Sequence, residues 1–130
     1  MYSFSTKVST SFDDTIARVT EALKTEGFGV LSDIDVAKTL NTKLGVEQTP
    51  YRILGACNPQ LAHQAISAEP GIGSLLPCNV VVRQDSKGSV EVLFMDPMAV
   101  LTLVDNPKIP ELATEVRQRL ERVLAAISDA

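Results

Sequence analysis

The chain has no tryptophan, a single histidine and only two cysteines, and aromatic residues make up 5% of its 130 positions. One histidine excludes every metal centre that needs two imidazole ligands, and neither C-x-x-C nor H-x-x-x-H spacing occurs. Basic residues are also short, with 12 Lys and Arg against 16 Asp and Glu for a formal charge of −4. Nucleic acid is therefore not expected as a partner, because binding a phosphate backbone relies on clustered cations releasing counterions. No run approaches the roughly eighteen apolar residues of a membrane span, so no membrane partner is expected. The opening MYSFSTKVSTSFDD lacks the basic run, apolar stretch and small-residue cleavage site of a signal peptide. The expected location is the cytoplasm, where cysteines serve more often as thiols, ligands or redox groups than as structural bridges.

What the chain does contain is an ordinary globular balance, 45% hydrophobic and 22% charged. Its length suits one domain over residues 1–130, burying roughly two thirds of its unfolded surface without help from a metal or disulfide.

The apolar periods mark out the elements. Tyr2, Phe4 and Val8 alternate with Ser3, Ser5 and Lys7, which predicts a half-buried first strand. Ser11 and Asp14 resemble a capping box ahead of the stripe Phe12, Ile16, Val19 and Leu23, so a helix is expected over 12–26. Gly27 can turn left-handed at its end, and Phe28, Val30 and Leu31 begin a short second strand. Val36, Ala37, Leu40 and Leu44 carry a weaker helical pattern closed by Gly45. Tyr51 to Cys57 reads as a strand. Asn58 as cap and Pro59 at the first helical position then predict a helix over 60–69. Cys78 to Arg83 and Val90 to Met95 form a hairpin about the turn Asp85, Ser86, Lys87, Gly88. After the mixed stretch PMAVLTLV, a helical stripe runs from Ile109 through Val116, Leu120 and Val123 to Ile127. Residues 53–56, 80–82 and 92–95 are apolar at both parities. If the helices cover one face of the sheet, the second should pack against another copy of the chain or enclose an apolar ligand.

Candidate chemistry concentrates in residues 51–83, which hold both cysteines, the histidine, three of the seven glycines and three of the seven prolines. If the strand ending at Cys57 lies antiparallel beside the strand starting at Cys78, the two thiols become neighbours. Cys57 also precedes a helix N-terminus, whose dipole favours a thiolate. His63, a turn into that helix, is placed to face the same spot. Cys57, Cys78 and His63 would suit a soft or borderline metal, with Met95 and Met98 as further thioether ligands. Asn58 and Asn79 flank the cysteines and complete the candidate ligand-binding set. Against this stands the common role of free cysteines as small buried hydrophobes. Gly71 and Gly73 belong to neither a P-loop nor a dinucleotide fingerprint, and Ser74 lacks a G-x-S-x-G elbow. Asp96 and Glu69 read as capping or solvated carboxylates, and Arg52 beside Tyr51 as a surface residue.

The segment YRILGACNPQLAHQAISAEPGIGSLLPCNVVVR, with A-C-N-P at 56–59, A-H-Q-A at 62–65 and L-P-C-N-V-V-V at 76–82, resembles the bacterial and archaeal family catalogued as domain of unknown function 302. The resemblance extends to F-D-D-T-I at 12–16 and D-P-M at 96–98. It implies a two-layer α+β fold similar to the TATA-binding protein, with a curved antiparallel sheet of about five strands flanked by helices in βαββαββα order, and a tendency to form homodimers. It implies no activity, and the basic face of the fold's DNA-binding relative is missing here. Three functions remain open. One is a small cytoplasmic binding module for a metal or thiol-reactive ligand near Cys57 and Cys78. The second is a thiol-dependent redox enzyme or accessory with Cys57 as nucleophile and His63 as base. The third is a protein-interaction dimer without site chemistry.

Overall fold

A computed structural model describes residues 1–128. Five strands, β1 (Ser3–Val8), β2 (Gly29–Asp35), β3 (Tyr51–Cys57), β4 (Cys78–Gln84) and β5 (Val90–Met95), form one sheet in the order β1-β5-β4-β3-β2. Every neighbouring pair is antiparallel. The helices are α1 (Phe12–Thr25), α2 (Val36–Leu44), α3 (Pro59–Ala68), the one-turn α4 (Pro97–Val100) and α5 (Ile109–Ile127), with short 3₁₀ turns at Pro70–Leu75 and Leu101–Leu103. This is the expected α+β architecture. Its order is fuller than βαββαββα, because α2 stands between β2 and β3 and α4 precedes the last helix.

Alternation decides which side of the sheet is covered. Leu54, Ala56, Cys78, Val80, Val82, Val90, Val92 and Phe94 are buried against Val19 and Leu23 of α1 and Val116, Leu120 and Val123 of α5. The pairs Leu54–Val80, Ala56–Cys78 and Val80–Phe94 set these residues side by side across strands, so one strand's inward set continues into the next. The opposite parity, Ile53, Val81 and Leu93, is only half-buried, and Ile34 is exposed. A second cluster, Ala65, Ile72, Leu101, Ile109 and Ala113, anchors the 3₁₀ turns and the start of α5.

The caps follow the sequence. Ser11 Oγ accepts from Asp14 N at 3.2 Å, and Asp35 Oδ1 from Lys38 N at 2.9 Å. Gly45 takes φ +67° at the end of α2, where a side chain would be strained. In the β4–β5 turn Asp85 Oδ1 accepts from Lys87 N and Ser89 N, both at 2.9 Å, and these bonds hold its carboxyl below the usual range. Asp96 caps α4 through Met98 N and pairs with Arg117 Nη1 at 2.7 Å, a structural role.

One expectation is corrected and two weakly patterned stretches are placed. β2 runs on through Ser32, Asp33 and Asp35, poor strand formers that pairing with β3 nevertheless holds extended. The apolar stripe of α2 is not core, since none of its residues is buried and Leu44 is 69% exposed. The mixed PMAVLTLV stretch is α4 followed by a 3₁₀ turn that buries Leu101.

Candidate functional site

The register sets Ala56 opposite Cys78, and Cys57, one residue further along β3 and paired with Gly29, reaches the same end of the sheet, close enough to Cys78 to act on its thiol. Both cysteines are free thiols, Cys57 half-buried and Cys78 buried. They open onto one cavity of about 340 Å³. Its walls come from five places: Phe28 and Leu31 around the start of β2, Ala56 to Asn58 at the end of β3, one face of α3, Gly73 to Cys78, and Leu101 with Leu112 and Val116 of α5.

Each wall has a local cause. Asn58 leaves the strand and caps α3, its Oδ1 accepting from Leu61 N at 3.1 Å, while Pro59 supplies the fixed φ of the first turn. At about 100° per residue, Leu61, Ala62, Ala65 and Ile66 occupy an arc of about 140° on α3. All four line the cavity. Gly27, at φ +84°, brings the chain from α1 against Asn58, where an added Cβ would lie 2.9 Å from Asn58 Nδ2. At Gly55 an added Cβ would stand 2.2 Å from Ser32 Oγ and 2.8 Å from Pro77 Cγ, so the missing side chain lets β2 and the start of β4 close over β3.

The lining is overwhelmingly aliphatic. Burial pushes the Cys78 thiol up to about 12, with the neighbouring Cys57 adding to the effect, so Cys78 is a neutral thiol at physiological pH. The wall therefore presents one buried, protonated sulfur and one half-exposed sulfur in an apolar hollow. Such a hollow can hold an uncharged organic group and offer it a soft contact.

Of the residues singled out from sequence, Cys57, Asn58 and Cys78 meet here. His63 does not. It lies about 60° beyond the cavity arc of α3, is exposed, and is not on the wall. Asn79 points to the other face of the sheet, opposite Gly55, where it borders a shallow depression with Tyr2, Tyr51 and Arg83. Met95 lines that same depression. Met98 Sδ accepts from Thr114 Oγ1 at 3.3 Å, away from the thiols. Among the described residues, no group of three His, Cys, Asp or Glu side chains is arranged to hold a metal ion. Arg52 is occupied by Asp33. Sequence reading missed the aliphatic walls, Leu61, Ile66, Leu101 and Leu112 above all. The available signal was the pairing of apolar residues at 61, 62, 65 and 66, which resembles ordinary core patterning.

An antiparallel sheet of five strands flanked by helices defines the class, a two-layer α+β fold. Residues 4–127 match the family described as Domain of unknown function DUF302, and the chain belongs to that family. Among solved structures it is similar to an uncharacterized conserved DUF302 protein from Bacillus stearothermophilus, at 34% identity over 98% of both chains with a TM-score of 0.90. No curated protein matches. No described helix is long and apolar enough to cross a membrane.

Proposed function

We propose that this protein is a binding module for a small, largely apolar molecule held in the Cys57–Cys78 cavity. The observation that carries this reading is the convergence of both thiols on one aliphatic hollow of about 340 Å³, within the range of small-molecule sites. Cys57 is the accessible nucleophile on that wall, so an electrophilic group on the occupant would meet sulfur. A soft metal ion is the weaker occupant, because it would have to displace the Cys78 proton and find further ligands without His63. The redox-enzyme reading loses its base for the same reason. The test is binding of the apolar dye N-phenyl-1-naphthylamine, with elemental analysis of the purified protein. Saturable fluorescence enhancement abolished by Ala62→Trp, without stoichiometric metal, is the expected result. Enhancement unchanged by Ala62→Trp, or one metal ion per chain released by Cys57→Ser, would overturn it.

A second reading concerns the open sheet face. Ile53, Val81 and Leu93 are half-buried there, and Arg83 Nη1 pairs with Glu91 Oε1 at 2.9 Å on the same side. A two-fold partner would present this opposite-charge pair in reverse, so the face is complementary to itself. We take it as the surface through which a homodimer forms. Sedimentation should report a dimer that Val81→Glu converts to a monomer, and a wild-type monomer would remove the reading.

A further inference from the structure

Beside the thiol cavity lies a second hollow of about 700 Å³, between α3 and α5. Leu61 and Leu112 belong to the walls of both, and each is half-buried. On the cavity side these leucines face aliphatic carbon and sulfur. On the groove side they are followed by Gln64, Lys108, Glu111, Thr114 and Gln118. The carboxylate of Glu115 in this groove is taken up by Arg119, 3.1 Å away. Lys108 and Glu111 are left as one exposed charge of each sign, amid the Gln64 and Gln118 amides, which donate and accept hydrogen bonds, and the Thr114 hydroxyl, which donates to Pro110 O at 2.9 Å and can accept.

From this change of chemistry across two shared leucines we infer that cavity and groove form one bipartite site for a medium-chain amphiphile. The aliphatic chain lies against Cys57 and Cys78, and an uncharged hydrogen-bonding head, a hydroxyl or amide, lies in the α3–α5 groove. The inference rests on the reading that the cavity takes an apolar ligand, and it adds the head, its polarity and the chain length. Taking about 30 Å³ per methylene-sized group, the volume of a liquid water, the cavity admits on the order of ten such groups. A bare hydrocarbon would leave the polar groove unused. A strongly charged head would meet both Lys108 and Glu111 and gain little from either.

Calorimetry of 1-alkanols from hexanol to tetradecanol tests the chain. Affinity should rise about fourfold per added methylene and level off near ten carbons, where the hollow is full. The head is tested with decanol, decylamine and decanoate on the wild type and on Lys108→Glu, an exposed position. The wild type should hold decanol best and separate the two ions by less than about threefold. Lys108→Glu should then favour decylamine over decanoate by roughly tenfold, a difference of about 1.4 kcal/mol. If the dye binds in the cavity but alkanol affinity is independent of length, or Lys108→Glu leaves the head preference unchanged, the bipartite site is refuted while the cavity reading stands. If neither dye nor alkanol binds, both fall.

Discussion

The middle of the sheet and its Cys57–Cys78 end are built from the same strands and come out differently. Under the middle, Val80, Val82, Val92 and Phe94 are closed over by Val19 and Leu23 of α1 and Leu120 and Val123 of α5, all essentially without solvent contact. Branched side chains from two long helices pack there against the branched and aromatic side chains of β4 and β5. At the end, the covering element is α3, only ten residues long, whose Ala62 and Ala65 share the cavity wall with Ala56 and Gly73. Small side chains grouped on facing walls leave volume unfilled. The difference teaches that the hollow is a local shortage of carbon, framed by ordinary core residues.

The sharpest way to test the contrast is to empty the filled region. Phe94→Ala, which removes a fully buried ring stacked on Phe4 at 5.4 Å, should cost about 3–5 kcal/mol in denaturant unfolding. An effect below about 1 kcal/mol would mean that the centre is no better packed than the end. Next comes the close approach at Gly55, where β2 and Pro77 meet β3. Gly55→Ala has a movable neighbour in Ser32 Oγ but a rigid one in the Pro77 ring, so a loss of about 1–3 kcal/mol is expected, with the cavity walls displaced.

The buried thiol supplies a pH handle on the end region. Its folded pKa of about 12 stands above the ordinary 9.0, so between these values the folded state keeps a proton that the unfolded chain has lost. Stability from this group is therefore full below pH 9 and declines as pH rises toward 12, by up to about 1.4 kcal/mol per pH unit. Cys78→Ala should flatten the alkaline unfolding profile relative to wild type, and identical slopes would contradict the assignment. The smallest effect is expected from filling the hollow. Ala62→Leu should leave stability within about 0.5 kcal/mol of wild type while lowering dye affinity, whereas core positions resent added carbon. A loss above about 1 kcal/mol at Ala62 would show that the end region has no spare room.

Much of this was legible in the chain itself, and the failures have physical causes. Asn58 and Pro59 announced the start of α3, and Gly45 the end of α2, because capping and left-handed turns are decided within four residues. The β4–β5 hairpin is legible because β-branched runs flank the turn at 85–88, while apolar residues at both parities leave its inward face to be set by packing. β2 was read short because Ser32, Asp33 and Asp35 have no strand preference of their own and are held by β3 alone. Counting one helical turn places His63 near the thiols, yet the helix's rotation is set by packing, and packing turns Leu61, Ala62 and Ala65 toward the cavity with the exposed Ile66 at its rim. Asn79 was assigned to the site by adjacency to Cys78, although adjacent strand residues point to opposite faces.

Local order, the capping residues and the resemblance to its family are written in the linear chain, since each depends on neighbours a few positions away. The juxtaposition of Cys57 with Cys78, the hollow beside them and the groove across Leu61 and Leu112 came only with the tertiary fold. They depend on strand order, on the rotation of α3 and on the docking of α5, quantities set by the packing of residues far apart in sequence.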